Sequence, residues 1–239
     1  MYNNSSEVVS INRLHFDSLT STSDYIRENA DSLELPVLVI ADMQTAGRGR
    51  RGKSFHSPKG TGVYFSIGFE PKDDFDLITP GAAVCLQQSI SELTGIETGI
   101  KWVNDLYLGS KKVAGILTER FVSGGKTLTV VGMGINLTTS EFPPDAPAAG
   151  SLGIETDKDA LIDRTASLLL SMNGDFNRER VLERYKEKMF IIGKDIGFNR
   201  NGIDCTGTVL GVNGEGNLIV NTPRGEMILS SGEISIKMR

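Results

Sequence analysis

The sequence predicts an α+β fold in which helices pack on a mixed β-sheet and a small closed β-barrel follows. Two observations predict it. Up to about residue 190, short β-favouring runs bounded by turn glycines alternate with stretches of helical periodicity. From Gly193 onward the pattern changes to short β runs broken by Asn-Gly and Arg-Gly pairs, which is typical of a small barrel. We therefore expect one domain at 1–190 and a second domain at 191–239.

The individual elements follow from hydrophobic spacing and turn residues. Gly109-Ser110 and Gly124-Gly125 separate neighbouring β-favouring runs, as tight hairpin turns do. The expected strands are 11–16, 37–41, 63–69, 99–102, 106–108, 113–122 and 127–137. One expected helix begins after a cap at Ser21 or Thr22 and runs to Asn29, and the others are 77–93, 157–172 and 178–189.

Composition excludes several classes of protein. Hydrophobic residues make up 39% and charged residues 23%, which is near the ordinary globular range and argues against disorder. No apolar run approaches the roughly 18 residues of a membrane span, and the polar start lacks a signal segment, so we expect a cytoplasmic protein without a membrane partner. Cys85 and Cys205 have no CxxC spacing, so neither a disulfide framework nor a zinc site is expected.

One glycine-rich loop concentrates positive charge in a chain whose net charge is −5. Residues 43–69 include no acidic residue, and the loop at 45–62 contains too many glycines for a helix or a central strand. The basic residues of this segment are Arg48, Arg50, Arg51, Lys53 and Lys59. Arginines form bidentate bonds with phosphate and carboxylate oxygens, so we expect a mobile lid that becomes ordered over a small anion. A solvated basic turn is the alternative.

Residues 47–54, GRGRRGKS, also fit the phosphate-binding pattern GxxxxGK[ST]. That pattern requires a helix directly after the loop, because the amino terminus of the helix faces the phosphates. Here a β run follows instead, and three arginines would crowd a cradle built from backbone N–H groups. We therefore favour the lid over a P-loop.

Four segments carry a more specific signal. They are QTAGRGRRGKSFHSPKGTGVYFS at 44–66, KWVNDLYLGSKKVAGILTE at 101–119, VVGMGINL at 130–137 and GEISIKMR at the carboxyl end. In this order they are similar to the motifs of biotin protein ligases, and the resemblance implies a class II synthetase-like catalytic domain followed by a small SH3-like β-barrel. Three positions depart from the family pattern, since Val103 replaces a proline, Phe55 a tryptophan and Ser23 an asparagine.

The resemblance implies an ATP-dependent enzyme. Such an enzyme would activate biotin to biotinyl-5′-AMP with release of pyrophosphate, and would then transfer biotin to a lysine on the biotin carrier domain of a carboxylase. Mg²⁺ would be held by the phosphates of ATP, and no protein metal site is expected, since His15 and His56 are isolated in the sequence. A lipoate or octanoate protein ligase, which shares this chemistry, is the nearest alternative.

The expected catalytic residues are cations, because attack of a carboxylate on the α-phosphate brings two anions together. The resemblance places Lys112 between the biotin carboxylate and the α-phosphate. It also implies that Arg48 and Arg50 clamp both groups as the loop closes and excludes water. Taken by itself, a lysine in a Lys-Lys pair is an ordinary solvated turn residue.

The cyclic urea of biotin needs neutral donors and acceptors. The resemblance assigns these to Ser21, Thr22, Ser23 and Gln44, although the same residues could simply cap a helix and cover a surface. The further biotin contacts expected are Gly47, Arg48, Gly49, Arg50, Lys112 and Gly115. The nucleotide contacts expected are Arg48, Arg50, Arg51, Trp102, Asn104, Lys112 and Asn136, and Lys101 and Asp105 are expected to orient the acceptor lysine.

Nucleic-acid binding is the main alternative from a different class, since small β-barrels often bind nucleic acid. From Gly193 to Arg239, however, five basic residues are balanced by five acidic ones, so no basic surface is predicted. About ten residues precede the first predicted strand, too few for the DNA-binding domain that some family members carry. We expect no nucleic-acid partner and a monomer or weak homodimer.

Overall fold

The computed structural model describes residues 10–72, 77–200, 202–232 and 234–236. Parts of the sequence outside these ranges include the polar start and much of the carboxyl-terminal motif. The described strands are β1 (Asn12–Phe16), β2 (Val37–Ala41), β3 (Gly62–Phe69), β4 (Gly99–Lys101), β5 (Asp105–Leu108), β6 (Lys111–Ser123), β7 (Lys126–Asn136), β8 (Asp195–Arg200), β9 (Ile203–Val212), β10 (Leu218–Thr222), β11 (Gly225–Leu229) and β12 (Ile234–Ile236). The described helices are α1 (Thr22–Glu28), α2 (Ile78–Thr94), α3 (Lys158–Gly174) and α4 (Arg178–Lys188). Each predicted helix and each of the seven predicted strands is confirmed, with ends that shift by up to two residues.

The larger sheet contains seven strands in the order β1-β2-β3-β7-β6-β5-β4. β1 and β2 pair in parallel, whereas the other neighbouring strands are antiparallel, so the predicted mixed sheet is confirmed. β2 is buried along its whole length because both of its faces are covered. Leu38 and Ile40 face one hydrophobic cluster, and Val37 and Val39 face the other. Burial on both faces explains why this strand is a continuous apolar run.

The tight turns lie where the glycine pairs predict them. Gly109 joins β5 to β6 with a φ of 59°, and Gly124 and Gly125 join β6 to β7 with φ values of 56° and 78°. These left-handed conformations favour glycine because it lacks a Cβ. The hairpins hold β6 and β7 in a fixed register, which places Gly115 opposite Gly134.

Helix α2 is the most deeply buried helix of the larger domain and packs against α3 and α4. It ends at Gly95, whose φ of 71° closes the helix. Burial raises the pKa of the Cys85 thiol to about 12, so this cysteine belongs to the core. Of the helices in the described ranges, none is long and apolar enough to cross a membrane.

The carboxyl-terminal strands form an antiparallel sheet in the order β11-β10-β9-β8-β12. The prediction of a closed barrel is wrong here, because within the described residues the edge strands β11 and β12 do not pair with each other. Closure requires the two edges of a sheet to meet in register.

Packing against the core of the seven-stranded sheet covers the open sheet instead. Ile196, Val209 and Val220 are buried in the same hydrophobic cluster as the core of the seven-stranded sheet. The indole N–H of Trp102 also donates to the carbonyl of Gly216, at 3.0 Å, in the turn between β9 and β10. The smaller sheet is therefore attached directly beside the β4–β5 hairpin.

Candidate active site

A cavity of about 820 Å³ lies over the seven-stranded sheet. Its walls are the start of α1, the glycine-rich loop, the β4–β5 hairpin and a segment at 142–149, and the smaller sheet reaches it at Gly232 and Ile234. Nearly every predicted site residue lines it: Ser21, Thr22, Ser23, Gln44, Arg48, Gly49, Arg50, Arg51, Lys101, Trp102, Asn104, Asp105, Lys112, Gly115 and Asn136. Gly47 is the predicted residue that does not line it, since it supports the loop from behind.

Gly47 has a packing role that only glycine can fill at that point. A Cβ built there would lie 2.5 Å from the Phe55 carbonyl oxygen and 2.7 Å from Ser57 Oγ. The Phe55 N–H donates to the carbonyl of Gly47 at 2.8 Å, which closes the base of the loop. The two sides of the loop can approach each other because this side chain is absent.

Neutral polar groups surround the start of α1. Ser21 caps the helix, and its side chain accepts a hydrogen bond from the N–H of Asp24. The Thr22 N–H donates to Gln44 Oε1 at 2.9 Å, and the Thr22 hydroxyl lies 2.7 Å from Ser66 Oγ. Ser66 on β3 also bonds the hydroxyl of Ser23, at 2.9 Å. The predicted cap and the predicted polar cluster therefore coexist.

Three alternate residues of β7 face the cavity, because side chains in a strand alternate between the two faces. A Cβ on Gly132 would lie 2.5 Å from Ser23 Oγ, and a Cβ on Gly134 would lie 2.4 Å from the ring of Phe55. Asn136 is the third of these residues. Gly132 and Gly134 form a flat surface, called the glycine floor below, which begins at the polar cluster and is covered by Phe55. The amide side chain of Asn136 follows, roughly 13 Å from Gly132 at ~3.3 Å per residue.

Lys112 lies beside the middle of this floor, within reach of Gly115. Its Nζ is 2.7 Å from Asp105 Oδ1, and both side chains are about three-quarters buried. The register between β5 and β6 shifts at Leu106 and Tyr107, just before Lys112 pairs with Tyr107. The lysine predicted as the central cation is therefore held by a carboxylate inside the cavity, whereas the other lysine of the pair, Lys111, is exposed.

Arg50 and Arg51 lie at the tip of the loop, in a 3₁₀ turn at Arg50–Gly52. Nη1 of Arg50 donates to Asn104 Oδ1 at 3.2 Å, and Asn104 in turn donates to the carbonyl of Ile116 at 2.7 Å. Arg51 has a φ of 56°, a left-handed conformation that no other non-glycine residue adopts in the described part of the chain. Strained backbone of this kind is concentrated at ligand sites.

Arg48 is engaged differently from Arg50. One Nη atom of Arg48 bonds Asp24 of α1, and the other bonds Glu119 of β6. Arg27 pairs with the same Asp24 and lies 3.6 Å from Glu119. In this structure the guanidinium of Arg48 therefore faces two carboxylates of the protein.

The segment at 142–149 forms the wall opposite the loop. The Lys112 N–H donates to the carbonyl of Ala148 at 2.7 Å, and Asn136 Nδ2 donates to the carbonyl of Gly150 at 2.9 Å. Oδ1 of Asn136 is buried and has no hydrogen-bond partner among the described residues. A buried acceptor without a partner is costly, and Asn136 is among the residues that line the cavity.

Lys101 lies at the outer rim of the cavity. Its Nζ is 5.3 Å from the centre of the Tyr107 ring and 3.5 Å from the Tyr107 hydroxyl. Burial, with a smaller contribution from the negative charge of Asp105, raises the pKa of Tyr107 to about 12. Tyr107 is therefore neutral at physiological pH, and its ring and hydroxyl are contacted by Lys101.

Comparison with known proteins shows the family. The chain matches the Biotin/lipoate A/B protein ligase family over residues 15–136, just over half of its 239 residues. It is also 31% identical over 262 aligned residues to the bifunctional ligase/repressor BirA of Bacillus subtilis, an alignment that spans 96% of this chain and 75% of that protein. The chain belongs to this family.

Other members of the family match most of the chain. The biotin–[acetyl-CoA-carboxylase] ligase of Mycobacterium tuberculosis is 25% identical over 90% of this chain and 85% of its own length. The fold is similar to that of the biotin protein ligase from Aquifex aeolicus in complex with biotin and ATP. That comparison gives a TM-score of 0.79 at 26% identity and covers 95% of this chain and 99% of the other. The family recognised from the sequence motifs is therefore confirmed.

Several residues of this ligase-family site do not stand out in the sequence. Ser66 lies in a buried strand, and Asp24 and Glu119 are ordinary charged residues until the fold brings them to Arg48. Gly132 and Gly134 carried a signal, since two glycines at a spacing of two in a strand indicate close approach of another group. Phe142, whose ring lies 6.4 Å from that of His56 across the cavity, carried none.

The fit between Gly134 and Phe55 gives a testable prediction. In Gly134→Ala the new methyl group occupies the space of the Phe55 ring, so we expect the loop to be displaced and chymotrypsin to cleave after Phe55 several-fold faster than in the wild type. Gly174→Ala is the matched control, because a Cβ at Gly174 meets no atom within 4 Å. Equal cleavage rates in all three proteins would show that the ring does not rest on the glycine floor.

Proposed function

We propose that this chain is a biotin protein ligase that makes biotinyl-5′-AMP from biotin and ATP and then biotinylates a carrier protein. The observation that carries the proposal is the order of groups along β7. A neutral polar cluster, a flat glycine floor and a buried amide follow one another over roughly 13 Å, at ~3.3 Å per residue, with Lys112 beside the middle. This order matches a ligand with a polar uncharged head, an apolar chain ending in a carboxylate, and a nucleotide.

The polar cluster is suited to the urea of biotin. The hydroxyls of Ser21, Thr22 and Ser23 and the amide of Gln44 provide donors and acceptors without charge. Thr22, Ser23 and Gln44 are already held by bonds to Ser66 and Ser57, so they are ordered before a ligand arrives. Gly115, Gly132 and Gly134 let Phe55, Ser23 and Lys112 lie directly against the strands at the bottom of the cavity.

The cationic residues are suited to the reaction itself. A biotin carboxylate oxygen attacks the α-phosphorus of ATP, the bond to the β-phosphate breaks, and pyrophosphate leaves. We assign Lys112 to the point where carboxylate and α-phosphate meet, with Asp105 holding the ammonium in place. We assign Arg50, together with the loop backbone at Gly49, to the incoming anions as the loop closes.

Adenosine is assigned to the end of the cavity near Asn136. The buried Oδ1 of Asn136 would accept a hydrogen bond from the adenine amino group, which supplies the partner it lacks. Asn104 and Arg51 are assigned to the ribose and phosphates, and Trp102 packs beneath them. Mg²⁺ would be held by the phosphates, since no cluster of three or more His, Cys, Asp or Glu residues suited to a metal occurs within the described ranges.

The second half-reaction uses the open rim of the cavity. The amine of a lysine on a carboxylase biotin carrier domain attacks the carbonyl of the adenylate, AMP leaves and the nitrogen loses a proton. Asp105 and Lys101 are assigned to orienting that lysine, because they lie side by side in the β4–β5 hairpin. The absence of a nucleic-acid partner and the monomeric or weakly dimeric state remain predictions.

We also retain the domain division at 1–190 and 191–239, and propose that the second unit is an open variant of an SH3-like fold. Support comes from the five antiparallel strands that the described residues form in this part of the chain. The turn at Gly216 bonds Trp102, and Gly232 and Ile234 line the cavity. The unit would therefore complete the nucleotide end of the site.

Substrate choice gives the most direct test of the proposed function. With ATP and Mg²⁺, we expect biotin to support pyrophosphate release and biotinylation of a carrier domain, and lipoate and octanoate to support little. The dithiolane of lipoate and the alkyl end of octanoate leave the polar cluster without partners, which costs binding energy. Faster release with lipoate or octanoate than with biotin would favour a lipoate or octanoate ligase instead.

Removal of the central ammonium gives a second prediction. Lys112→Ala should lower the rate of biotin-dependent pyrophosphate release by a factor of ~10² or more, since one preorganised charge at the reacting centre is lost. Lys126→Ala, which removes an exposed lysine paired with Glu70, is the control and should leave the rate unchanged. A normal rate in Lys112→Ala, with an unchanged melting temperature in both variants, would contradict the assignment.

A further inference from the structure

We infer that Arg48 is a positioning residue, and that it anchors the base of the glycine-rich loop through Asp24 and Glu119 instead of binding an anion. The catalytic consequence of this inference rests on the proposed function, whereas the anchoring itself does not. The three residues Arg48, Asp24 and Glu119 are called the loop anchor below. Arg48 and Arg50 therefore differ in role, although they are two residues apart in the same loop: Arg48 anchors the loop, and Arg50 is the residue assigned to the anions.

Both terminal nitrogen atoms of the Arg48 guanidinium form hydrogen bonds. One Nη atom bonds a carboxylate on helix α1 and the other bonds a carboxylate on strand β6. These partners are 24 and 71 residues away in the sequence, so the loop is tied to two separate elements of the domain. A forked pair of charge-assisted bonds fixes the direction of the side chain as well as its position.

The charges around Arg48 are already balanced. Arg27 pairs with the same two carboxylates, so two arginines face two acidic side chains. The side chains of Arg48, Asp24 and Glu119 are 30%, 20% and 26% exposed, which leaves them partly shielded from solvent. A phosphate or carboxylate that approached Arg48 would therefore meet a cluster without net positive charge, in which Asp24 and Glu119 already occupy the guanidinium. Arg50, whose contact is the neutral amide of Asn104, has no such competition there.

The backbone places the anchor at the stem of the loop. Arg48 forms an isolated bridge with Ser54, the Gly49 N–H donates to the carbonyl of Lys53 at 2.7 Å, and Phe55 returns to Gly47. The loop is therefore a narrow stem with Arg50, Arg51 and Gly52 at its tip. Holding the stem at Arg48 holds the tip over the cavity, while the tip itself stays able to adjust to a ligand.

The anchor also joins the loop to the polar cluster. Asp24 directly follows Ser23 in the first turn of α1, and Glu119 lies on β6 four residues after Gly115. Loss of either carboxylate would loosen the loop relative to both the urea site and the glycine floor. Misplacement of catalytic groups by about 1 Å is sufficient to slow a reaction by up to roughly a hundredfold.

The test compares Arg48→Gln, Glu119→Gln and the double variant, with Asp24→Asn as a second carboxylate variant. Glu70→Gln is the matched control, because it makes the same chemical change in an exposed ion pair with Lys126. Two quantities are measured on the full chain. One is the rate of tryptic cleavage after residues 50, 51 and 53 in the absence of ligand, and the other is kcat/KM for biotin in pyrophosphate release.

We expect Arg48→Gln to accelerate cleavage and to lower kcat/KM, on the order of tenfold or more, and Glu119→Gln to change both in the same direction by less, because the bond between Arg48 and Asp24 remains. The double variant should be no worse than Arg48→Gln, since that substitution alone removes both bonds of the anchor. Asp24→Asn should also accelerate cleavage and lower kcat/KM, and Glu70→Gln should match the wild type in both quantities. Melting temperatures verify that each variant is folded.

Two results would overturn the inference. If Glu119→Gln keeps or raises kcat/KM while Arg48→Gln lowers it, Arg48 binds an anion directly, because removal of a nearby negative charge then helps the substrate. If tryptic cleavage of the loop is the same in all variants, the anchor does not hold the loop. Failure of the wild type to release pyrophosphate with biotin would overturn the proposed function instead, and the cleavage rates would still decide the anchor.

Discussion

Repulsion between a carboxylate and a triphosphate is the constraint on which this site depends. Two anions must meet in a chain that is itself negatively charged, so cations have to be fixed where the reacting atoms come together and water has to be excluded. In the mechanism proposed above, these cations are Lys112, which Asp105 holds on a rigid hairpin, and Arg50 on the loop. One cation is preorganised, and the other arrives with the loop.

The seven-stranded sheet provides the rigid part of this arrangement. β6 and β7 are held in register by glycine turns, and the inward residues of β7 run from Gly132 beside the polar cluster, through Gly134, to Asn136. The loop provides the adjustable part, with Phe55 resting on Gly134 and Arg48 bound at the stem. The smaller sheet closes the far side through Trp102 and Gly216.

Local patterns in the sequence were enough for the strands, the helices and the composition of the loop, because those depend on spacing and on glycine. The resemblance to biotin protein ligases, and not the local patterns, assigned Lys112, Gln44 and Asn136 to one site, and all three line the cavity. The partners of Arg48 could not be predicted, since Asp24 and Glu119 reach it only through the register of β6 and the docking of α1. The openness of the smaller sheet was missed for a similar reason. Its inner face packs against the core of the seven-stranded sheet. A strand covered in this way shows the same alternation of apolar and polar residues as a strand of a closed barrel, so the sequence does not distinguish them.

The central claim is that the cavity joins biotin to AMP before any acceptor protein takes part. Exchange of labelled pyrophosphate into ATP measures that step, because exchange occurs only when the adenylate forms reversibly on the enzyme. We predict exchange that requires biotin and Mg²⁺ and proceeds without a carrier domain. Absence of exchange with biotin, in a folded protein that nevertheless biotinylates a carrier domain, would contradict an adenylate intermediate formed at this site.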